Sequence, residues 1–221
     1  MSYINFHPHV GKFYQSKGLN GKRIMVLGDS HYCKDELKNG GRCHPFCSRD
    51  KMDEDCVNET IYCVTGHAYE HSIRAYTIFE RAFYGRVLNQ DERIDFWESI
   101  IFYNYIQYAQ PGPRRQLDQP EVSKHESELA FKEIIDKYLP DYIIAWGLQE
   151  NRLYSFMPDW GGEDSVLMLD NGDSRNIWTY KINNKEIPVL FIQHPSSGMS
   201  WEYCHLFIKA FLDLPESILN S

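Results

Sequence analysis

The chain has 221 residues, of which 43% are hydrophobic and 24% charged, and its formal net charge is −8. A length of this order usually makes one domain, and no apolar run approaches the roughly 20 residues that a membrane span needs. The negative charge argues against broad electrostatic binding of nucleic acid, because such binding depends on lysine and arginine side chains.

Residues 1–20 lack a sustained hydrophobic period, which predicts an N-terminal arm. They also lack the basic start and apolar stretch of an export signal, so we expect a cytoplasmic protein. Residues 22–28 form a short apolar run closed by glycine, as in a strand that is buried on both faces. The next thirty residues are polar, and we expect a Cys-rich loop at about 33–63 within a single domain of residues 1–221.

The middle of the chain alternates helical and strand-like patterns. Apolar residues recur at helical spacing from about Thr60 to Tyr84, and Gly66 is a point where this stretch divides. The apolar block at 95–109 favours a helical lead-in followed by a strand near 100–105, because the second part is rich in β-branched and aromatic residues.

The same alternation continues after residue 120. Ser123 and Glu126 have the spacing of a capping box, which predicts the start of a helix that Pro140 ends. Residues 141–147 form another buried strand closed by glycine.

The last part of the chain predicts a hairpin and a helix. The runs 177–181 and 186–193 flank Asn183-Asn184, which is typical of a tight turn between two strands. Residues 151–175 form a polar stretch without a regular pattern. Ser200 is placed to cap a final helix. The apolar face of that helix consists of Trp201, Cys204, Ile208 and Phe211.

Strands that alternate with helices predict an α/β fold with helices on both faces of the sheet. We expect a three-layer sandwich around a central, mainly parallel, four-stranded sheet. Its strands lie near residues 23–27, 100–104, 142–146 and 188–193.

Polar or glycine-rich residues follow each of these four strands. They are Gly28-Asp29-Ser30-His31-Tyr32, Asn104, Trp146-Gly147 and His194-Pro195-Ser196-Ser197. A single histidine after a strand, or a single asparagine in an aromatic block, is more often structural than catalytic. In an open parallel sheet, however, ligands bind at the carboxyl ends of the strands, so the shared position of these residues points to one site.

The order of these segments resembles that of the uracil-DNA glycosylase superfamily. Gly28–Cys33 resembles the motif G-Q-D-P-Y-H, and Ile101–Asn104 resembles the strand L-L-L-N. Ile144–Gly147 is similar to a strand that ends in L-W-G, and His194–Ser200 resembles H-P-S-P-L-S. The matches run in order through residues 22–212. The resemblance implies a uracil-DNA glycosylase-like fold whose pocket accepts a nucleobase flipped out of DNA.

The resemblance also implies roles for individual side chains. The expected nucleobase-binding residues are Gly28, Ser30, His31, Tyr32 and Asn104. Asn104 would read the polar edge of the base, because an amide presents a donor and an acceptor side by side. Tyr32 would exclude a base with a 5-substituent. His194 would stabilise the negative charge that develops on the departing base, and Ser196 and Ser197 would bind phosphates.

One position departs from the pattern of the family. The water-positioning aspartate of G-Q-D-P-Y-H aligns with Ser30, whose hydroxyl is a poor general base. Asp29 occupies the place of the glutamate in the variant motif G-E-A-P-G, so we take Asp29 as the carboxylate that orients water or an oxocarbenium-like centre. The alternative is that Asp29 only caps the following turn. His31 replaces a proline at the pocket mouth, and the preferred base need not be uracil.

Five of the six cysteines fall within residues 33–63, a clustering that favours a metal site over disulfides in a reducing compartment. The expected ligands of a structural zinc ion are Cys43, Cys47 and Cys56, with Cys33 and Cys63 flanking them. The alternative is a set of free, partly buried thiols. No cofactor is expected for catalysis itself.

Two functions stay open from the sequence. The first is a DNA glycosylase-like N-glycosidase that acts on a base in DNA or in a free nucleoside or nucleotide, which Asp29 and His194 favour. The second is a nucleobase-binding module without hydrolysis, which Ser30 and the acidic charge favour. A zinc-dependent hydrolase centred on the cysteines would lack an obvious general base. Arg114 and Arg115 are adjacent, and they either contact phosphates or lie in a solvated loop.

Overall fold

A computed structural model describes residues 2–30, 32–33, 55–66, 73–107, 110–111, 121–147 and 162–213. The chain is an α/β protein in which helices pack on both faces of a mixed sheet. Within these residues no helix is long and apolar enough to cross a membrane.

Most of the strands belong to one sheet. The strands are β1 (His9–Val10), β2 (Ile24–Gly28), β3 (Tyr32–Cys33), β4 (Ile101–Asn104), β5 (Gln110–Pro111), β6 (Tyr142–Trp146), β7 (Gly162–Met168), β8 (Ser174–Ile182) and β9 (Lys185–Ile192). The order in the main sheet is β1-β4-β2-β6-β9-β8-β7, and β3 pairs separately with β5. The four central strands β4, β2, β6 and β9 are parallel to one another, whereas β1, β8 and β7 pair antiparallel towards the edges. The carboxyl ends of the central strands therefore share one edge.

Five helices and one short 3-10 turn surround the sheet in the described residues. They are α1 (Cys56–Thr65), α2 (Arg74–Tyr84), α3 (Gln90–Trp97), α4 (Glu121–Tyr138), the turn Pro195–Ser197 and α5 (Trp201–Leu212). Helices α1, α2, α3 and α5 share one core with the sheet, and α4 covers the opposite face.

The two cores explain why the central strands read as continuous apolar runs. Every residue of β2 and of β6 is buried. Val26 and Ile144 belong to the core under α2 and α5, while Leu27 and Ala145 belong to the core under α4. A strand covered on both faces has no solvent side that would alternate with polar residues.

The expected four-stranded, mainly parallel sheet is wrong, because the sheet has seven strands and half of its pairings are antiparallel, although each of the four predicted runs forms a strand. The N-terminal arm contributes β1, and the stretch that we expected to be irregular contributes β7. Strand β7 lies at the edge of the sheet, where Val166 and Met168 are exposed. A half-exposed edge strand carries a weak hydrophobic pattern, which explains the omission. The hairpin is found as predicted, with Asn183 and Asn184 both at positive φ between β8 and β9.

Two predicted helix starts also need correction. Helix α4 begins at Glu121, so Ser123 lies inside its first turn and is not the capping residue. A capping box is found instead at α3, where Asn89 accepts a hydrogen bond from the Glu92 backbone N–H. Helix α1 begins at Cys56, so the end of the expected Cys-rich loop is helical. Gly66 ends that helix, as its place in the sequence indicated.

An ion-pair cluster ties the amino ends of the central strands together. Asp141 precedes β6 and accepts a hydrogen bond from the Arg23 backbone N–H at 2.8 Å and one from its guanidinium at 2.9 Å. The Lys185 ammonium donates to the same carboxylate at 2.6 Å. The cluster therefore joins β6 to the starts of β2 and β9, opposite the edge at which these strands end.

Candidate functional site

The predicted site residues come from the shared carboxyl edge of the central strands. Gly28 ends β2, Asn104 ends β4, and the two residues lie directly opposite each other in the parallel ladder. Trp146 ends β6, and His194 follows the end of β9 by two residues. The ladder between β2 and β4 continues, since the Tyr105 backbone N–H donates to the Gly28 carbonyl at 3.0 Å.

Gly28 leaves room for the amide of Asn104. An ideal Cβ at position 28 would lie 2.1 Å from Asn104 Oδ1 and 2.9 Å from the Trp146 indole nitrogen Nε1. Both distances are measured from the same Cβ position, so Asn104 Oδ1 and Trp146 Nε1 lie no more than 5.0 Å apart. Asn104 is buried, so this amide presents its polar atoms in a largely dry environment. Glycine at position 28 is therefore a requirement of the site.

Trp146 connects this amide with the histidine. The ring centroids of Trp146 and His194 lie 6.1 Å apart, with the planes inclined at 62°. The next residue, Gly147, has a φ of +73°, and a Cβ there would lie 2.7 Å from His194 Cδ2. The His194 imidazole thus packs against Gly147, as the Asn104 amide packs against Gly28.

Hydrogen bonds determine which nitrogen of His194 carries a proton. The Ser196 backbone N–H lies 3.1 Å from Nδ1 and can only donate, so Nδ1 must accept. The Ser196 hydroxyl lies 2.7 Å from the same nitrogen and donates to it as well. A neutral imidazole that accepts at Nδ1 carries its proton on Nε2. The ring therefore has one N–H left to offer to a ligand.

Burial keeps this imidazole neutral. Desolvation lowers the pKa of His194 below its ordinary value of 6.5. Protonation at Nδ1 would also place two donors face to face, since the Ser196 backbone N–H already points there. His194 is consequently a neutral hydrogen-bond donor at neutral pH.

Aromatic side chains form the wall behind the site. The Tyr76 ring lies 5.6 Å from that of Trp146 and 5.4 Å from that of Phe102, and Phe79 packs edge-on against Trp146 at 4.7 Å. The helical spacing between Thr60 and Tyr84 gave no sign that Tyr76 lies behind this site. Trp146 and Gly147 were predicted to share the edge but were given no role, although glycine directly after a buried strand was the available signal for a close approach.

Asp29 and Ser30 follow β2 and are half-buried. The Asp29 carbonyl accepts a hydrogen bond from the Ile106 backbone N–H at 3.0 Å, which holds this segment against the end of β4. The Ser30 hydroxyl is buried, and no group within the described part of the chain forms a hydrogen bond with it. Ser30 thus offers an unused polar group two residues after Gly28.

Several predicted residues lie outside the described residues. These are His31, Arg114, Arg115, Cys43 and Cys47. The backbone of Tyr32 belongs to β3 and pairs with Gln110, and its side chain lies outside the description.

Ser196 and Ser197 form the 3-10 turn after His194, and both are exposed. The Ser197 backbone N–H donates to the His194 carbonyl at 2.9 Å, and Gln193 Nε2 donates to the Ser197 carbonyl at 2.8 Å. Because the Ser196 hydroxyl already bonds to the imidazole, Ser197 has the freer hydroxyl of the two for a phosphate.

The geometry of helix α1 excludes one pair of cysteines as ligands of the same zinc ion. Cys56 and Cys63 both lie on it, two turns apart, and the rise along seven residues is about 10.5 Å. Two sulfurs that bind one ion at about 2.3 Å cannot come from positions so far apart. Within the described residues no three histidine, cysteine or acidic side chains are grouped around one point. The predicted site at Cys43, Cys47 and Cys56 stays a prediction.

A separate surface cavity of about 390 Å³ lies between β1 and α1. It is lined by His9, Asn58, Glu59, Ile61, Tyr62, Thr65 and Glu98. None of the predicted site residues lines it. The chemistry proposed below belongs to the carboxyl edge of the sheet.

No protein-family model and no curated protein matches this chain. The resemblance to uracil-DNA glycosylases therefore depends on the sequence motifs alone.

Proposed function

We propose that this chain binds a nucleobase at the carboxyl edge of its sheet and hydrolyses the N-glycosidic bond of that base, as a divergent relative of the uracil-DNA glycosylases. The observation that carries the proposal is that both the Asn104 amide and the His194 imidazole lie close to Trp146. An amide and a neutral N–H donor around an aromatic wall match the polar edge and flat face of a base.

Asn104 would supply recognition of the base. Its amide offers one acceptor and two donors, and its burial makes an unmatched partner costly. A base whose edge presents the complementary donor and acceptor would be retained. A base with the reversed pattern would leave buried polar groups unpaired and would be rejected.

His194 and Asp29 would supply the chemistry. When the glycosidic C–N bond breaks, its electron pair leaves with the base, and negative charge develops on the oxygen that the base presents. The Nε2–H of a neutral His194 would stabilise that charge in a dry site. The Asp29 carboxylate would stabilise the positive sugar carbon and orient the water that adds to it. The water loses a proton as its oxygen bonds to the sugar carbon, and the departing base anion gains one, so the reaction ends with a neutral free base and a hydroxyl on the sugar.

A second candidate is a binding module that keeps the pocket without hydrolysis. It is favoured by Ser30, which stands where the related motif has its water-positioning aspartate and whose hydroxyl is buried. In that case Asp29 would only shape the turn after β2, and the ligand would leave unchanged.

The test uses the purified full chain and two assays in parallel. Oligonucleotides that carry uracil, hypoxanthine, a thymine mismatch or a modified pyrimidine are incubated with the protein, and abasic sites are scored. Thermal shift with bases, nucleosides and nucleotides reports binding without chemistry. If the wild-type protein forms abasic sites and the His194→Ala variant does not, the glycosidase is supported. Binding without product in every assay supports the binding module. If the protein shows no binding and forms no product, both candidate functions are refuted.

A further inference from the structure

A guanidinium without a described carboxylate partner is that of Arg81 on α2. It lies over the ring of Trp201, 4.5 Å from the ring centroid. Its Nε–H is buried and has no hydrogen-bond acceptor in the part of the chain that the structure describes. The arginines Arg23, Arg86 and Arg93 each pair with a carboxylate. No described carboxylate pairs with Arg81.

A buried donor without an acceptor requires an explanation, because such groups are rare in native proteins. The stacking on Trp201 stabilises the positive charge through the ring face, yet it leaves the N–H groups in the guanidinium plane unused. The Nε–H itself is shielded by the protein, so the terminal nitrogens of this partly exposed arginine are the groups that a ligand can reach. They form a fork that matches two oxygens of a phosphate or carboxylate, so the ligand they fit is an anion.

The position of Arg81 relates this anion to the candidate site. Trp201 is the first residue of α5, which Ser200 caps with its hydroxyl. The turn Pro195–Ser197, which directly follows His194, packs against α2. Glu202 also lies in the first turn of α5, where its carboxylate accepts from the Ser200 hydroxyl at 3.4 Å. Arg81 thus stacks on the first residue of α5, and its helix packs against the turn that follows His194 and contains the exposed Ser197.

Arg175 repeats the arrangement on the other flank of α5. Its guanidinium lies 5.4 Å from the ring centroid of Tyr203 and 5.0 Å from that of Phe207, and its Nε–H is buried without an acceptor in the described residues. One of its terminal nitrogens donates to the Phe191 carbonyl at 3.4 Å. Two arginines without described carboxylate partners therefore flank the start of this helix in a chain of net charge −8.

We propose that Arg81 binds a phosphate group of the ligand whose base occupies the pocket, with Ser197 on the same phosphate. This inference rests on the proposed function, since it names the part of the ligand that lies outside the pocket. The phosphate belongs either to a nucleic-acid strand or to a mononucleotide. A phosphate accounts for the planar fork and for the edge-on donors, which a neutral nucleoside would leave unsatisfied.

The first arm of the test separates the phosphate from the base. A fluorescein-labelled 15-nucleotide single strand with one central abasic site offers phosphates but no base at that position, and anisotropy measures its affinity for the full chain at several NaCl concentrations. Arg81→Gln is expected to weaken binding about tenfold and to reduce the slope of log K against log salt by about 0.7, as for one lost contact to a single strand. Lys12→Gln removes one exposed positive charge near the amino end of β4, away from the carboxyl edge of the sheet, and should change the affinity less than twofold.

The second arm measures stability, which separates a ligand role from a structural one. Arg81→Gln removes a partly buried cation without a described counter-charge and also its stacking on Trp201; because these two effects oppose each other, the thermal midpoint should change little. Arg81→Lys keeps the charge without the fork, and should keep the salt slope while lowering the affinity. A large fall in the midpoint with unchanged strand binding would overturn the proposal, because Arg81 would then act only on packing.

The third arm identifies the source of the phosphate. If the abasic strand does not bind, the four common nucleoside 5′-monophosphates are compared with their nucleosides by thermal shift. A preference for monophosphates that Arg81→Gln abolishes supports the proposal with a mononucleotide as ligand. Equal affinity of Arg81→Gln and wild type for strand and monophosphates refutes it. Asn104→Ala should still bind the abasic strand, so a failed pocket and a failed phosphate site give different results.

Discussion

The imidazole of His194 lies against the backbone of Gly147, at a place where any side chain would collide with it. A Cβ at position 147 would come within 2.7 Å of His194 Cδ2, and the backbone there has a φ of +73°. Gly147 therefore serves both the turn after β6 and the position of the ring.

We predict that Gly147→Ala displaces His194 and lowers any glycosidase activity at least tenfold. The positive φ alone should cost about 1–2 kcal/mol of unfolding free energy, because an alanine rarely adopts it. Gly172→Ala is the matched control, since Gly172 has a φ of +88° and open space around it. The difference between the two variants in the free energy of unfolding, measured with urea, gives the cost of the collision with His194. An equal loss of stability in both, with normal activity at position 147, would contradict the contact.

Gly28→Ala tests the other glycine of the site. Its methyl group would meet Asn104 Oδ1 at 2.1 Å, so the amide must move. We expect weaker nucleobase binding and a loss of about 1–3 kcal/mol from overpacking, seen by titration and by urea unfolding. The double variant with Asn104→Ala should recover part of that stability, because the colliding amide is gone. Purely additive losses would show that the two side chains do not meet.

The strands of the sheet were predictable from the sequence for a physical reason. Runs such as 142–146 are buried on both faces, so apolar residues follow one another without interruption. Strand β7 was not predictable in the same way, because its exposed edge position leaves it without such a run. The start of α4 shows the limit of local motifs, since Ser123 and Glu126 have the right spacing at the wrong register.

The site was predictable only in part. The strand-end rule brought Gly28, Asn104 and His194 to one edge. It did not reveal the tautomer of His194, which depends on the folded backbone at Ser196. Nor did it reveal Arg81, because its Nε–H becomes a buried donor without an acceptor only when α2 and α5 pack together.

Acidic pH should lower both stability and activity, because His194 is neutral in the folded protein. Its pKa is lowered by burial from 6.5, so the unfolded chain binds a proton at a higher pH than the folded chain does. Stability should therefore fall as the pH drops from 6.5 towards the folded pKa, and activity should be lost at lower pH, as the pH falls through the folded pKa itself. The His194 ring signals in an NMR titration measure the pKa directly. A midpoint above 6.5 would contradict the hydrogen bonding described at Nδ1.

A second acid-sensitive group lies far from the site, at Asp141. Burial alone would raise the pKa of its carboxyl, but hydrogen bonds from Arg23 and Lys185 outweigh burial and bring the pKa below its ordinary 3.8. The stabilisation is present above pH 3.8 and is lost as the pH falls through the lower folded value. Asp141→Asn should lower stability at pH 7 and flatten its dependence on pH below 4. Unfolding curves at pH 7 and pH 3 for both proteins provide the measurement.

The roles of Asp29 and His194 in any N-glycosidase activity can be separated from that of Ser30. Asp29→Asn keeps the size of the side chain and removes its charge, so turnover should fall while ligand affinity changes little, because the carboxylate acts mainly in the transition state. His194→Ala should lower turnover by about 10²–10³-fold, as the loss of one oxyanion-type donor does. Ser30→Ala should stay within a few-fold of wild type, since its hydroxyl forms no hydrogen bond within the described residues. Single-turnover cleavage rates and separate binding titrations provide the comparison. If Asp29→Asn cleaves as fast as wild type, the carboxylate has no part in the reaction, and Ser30 becomes the group to examine for the water.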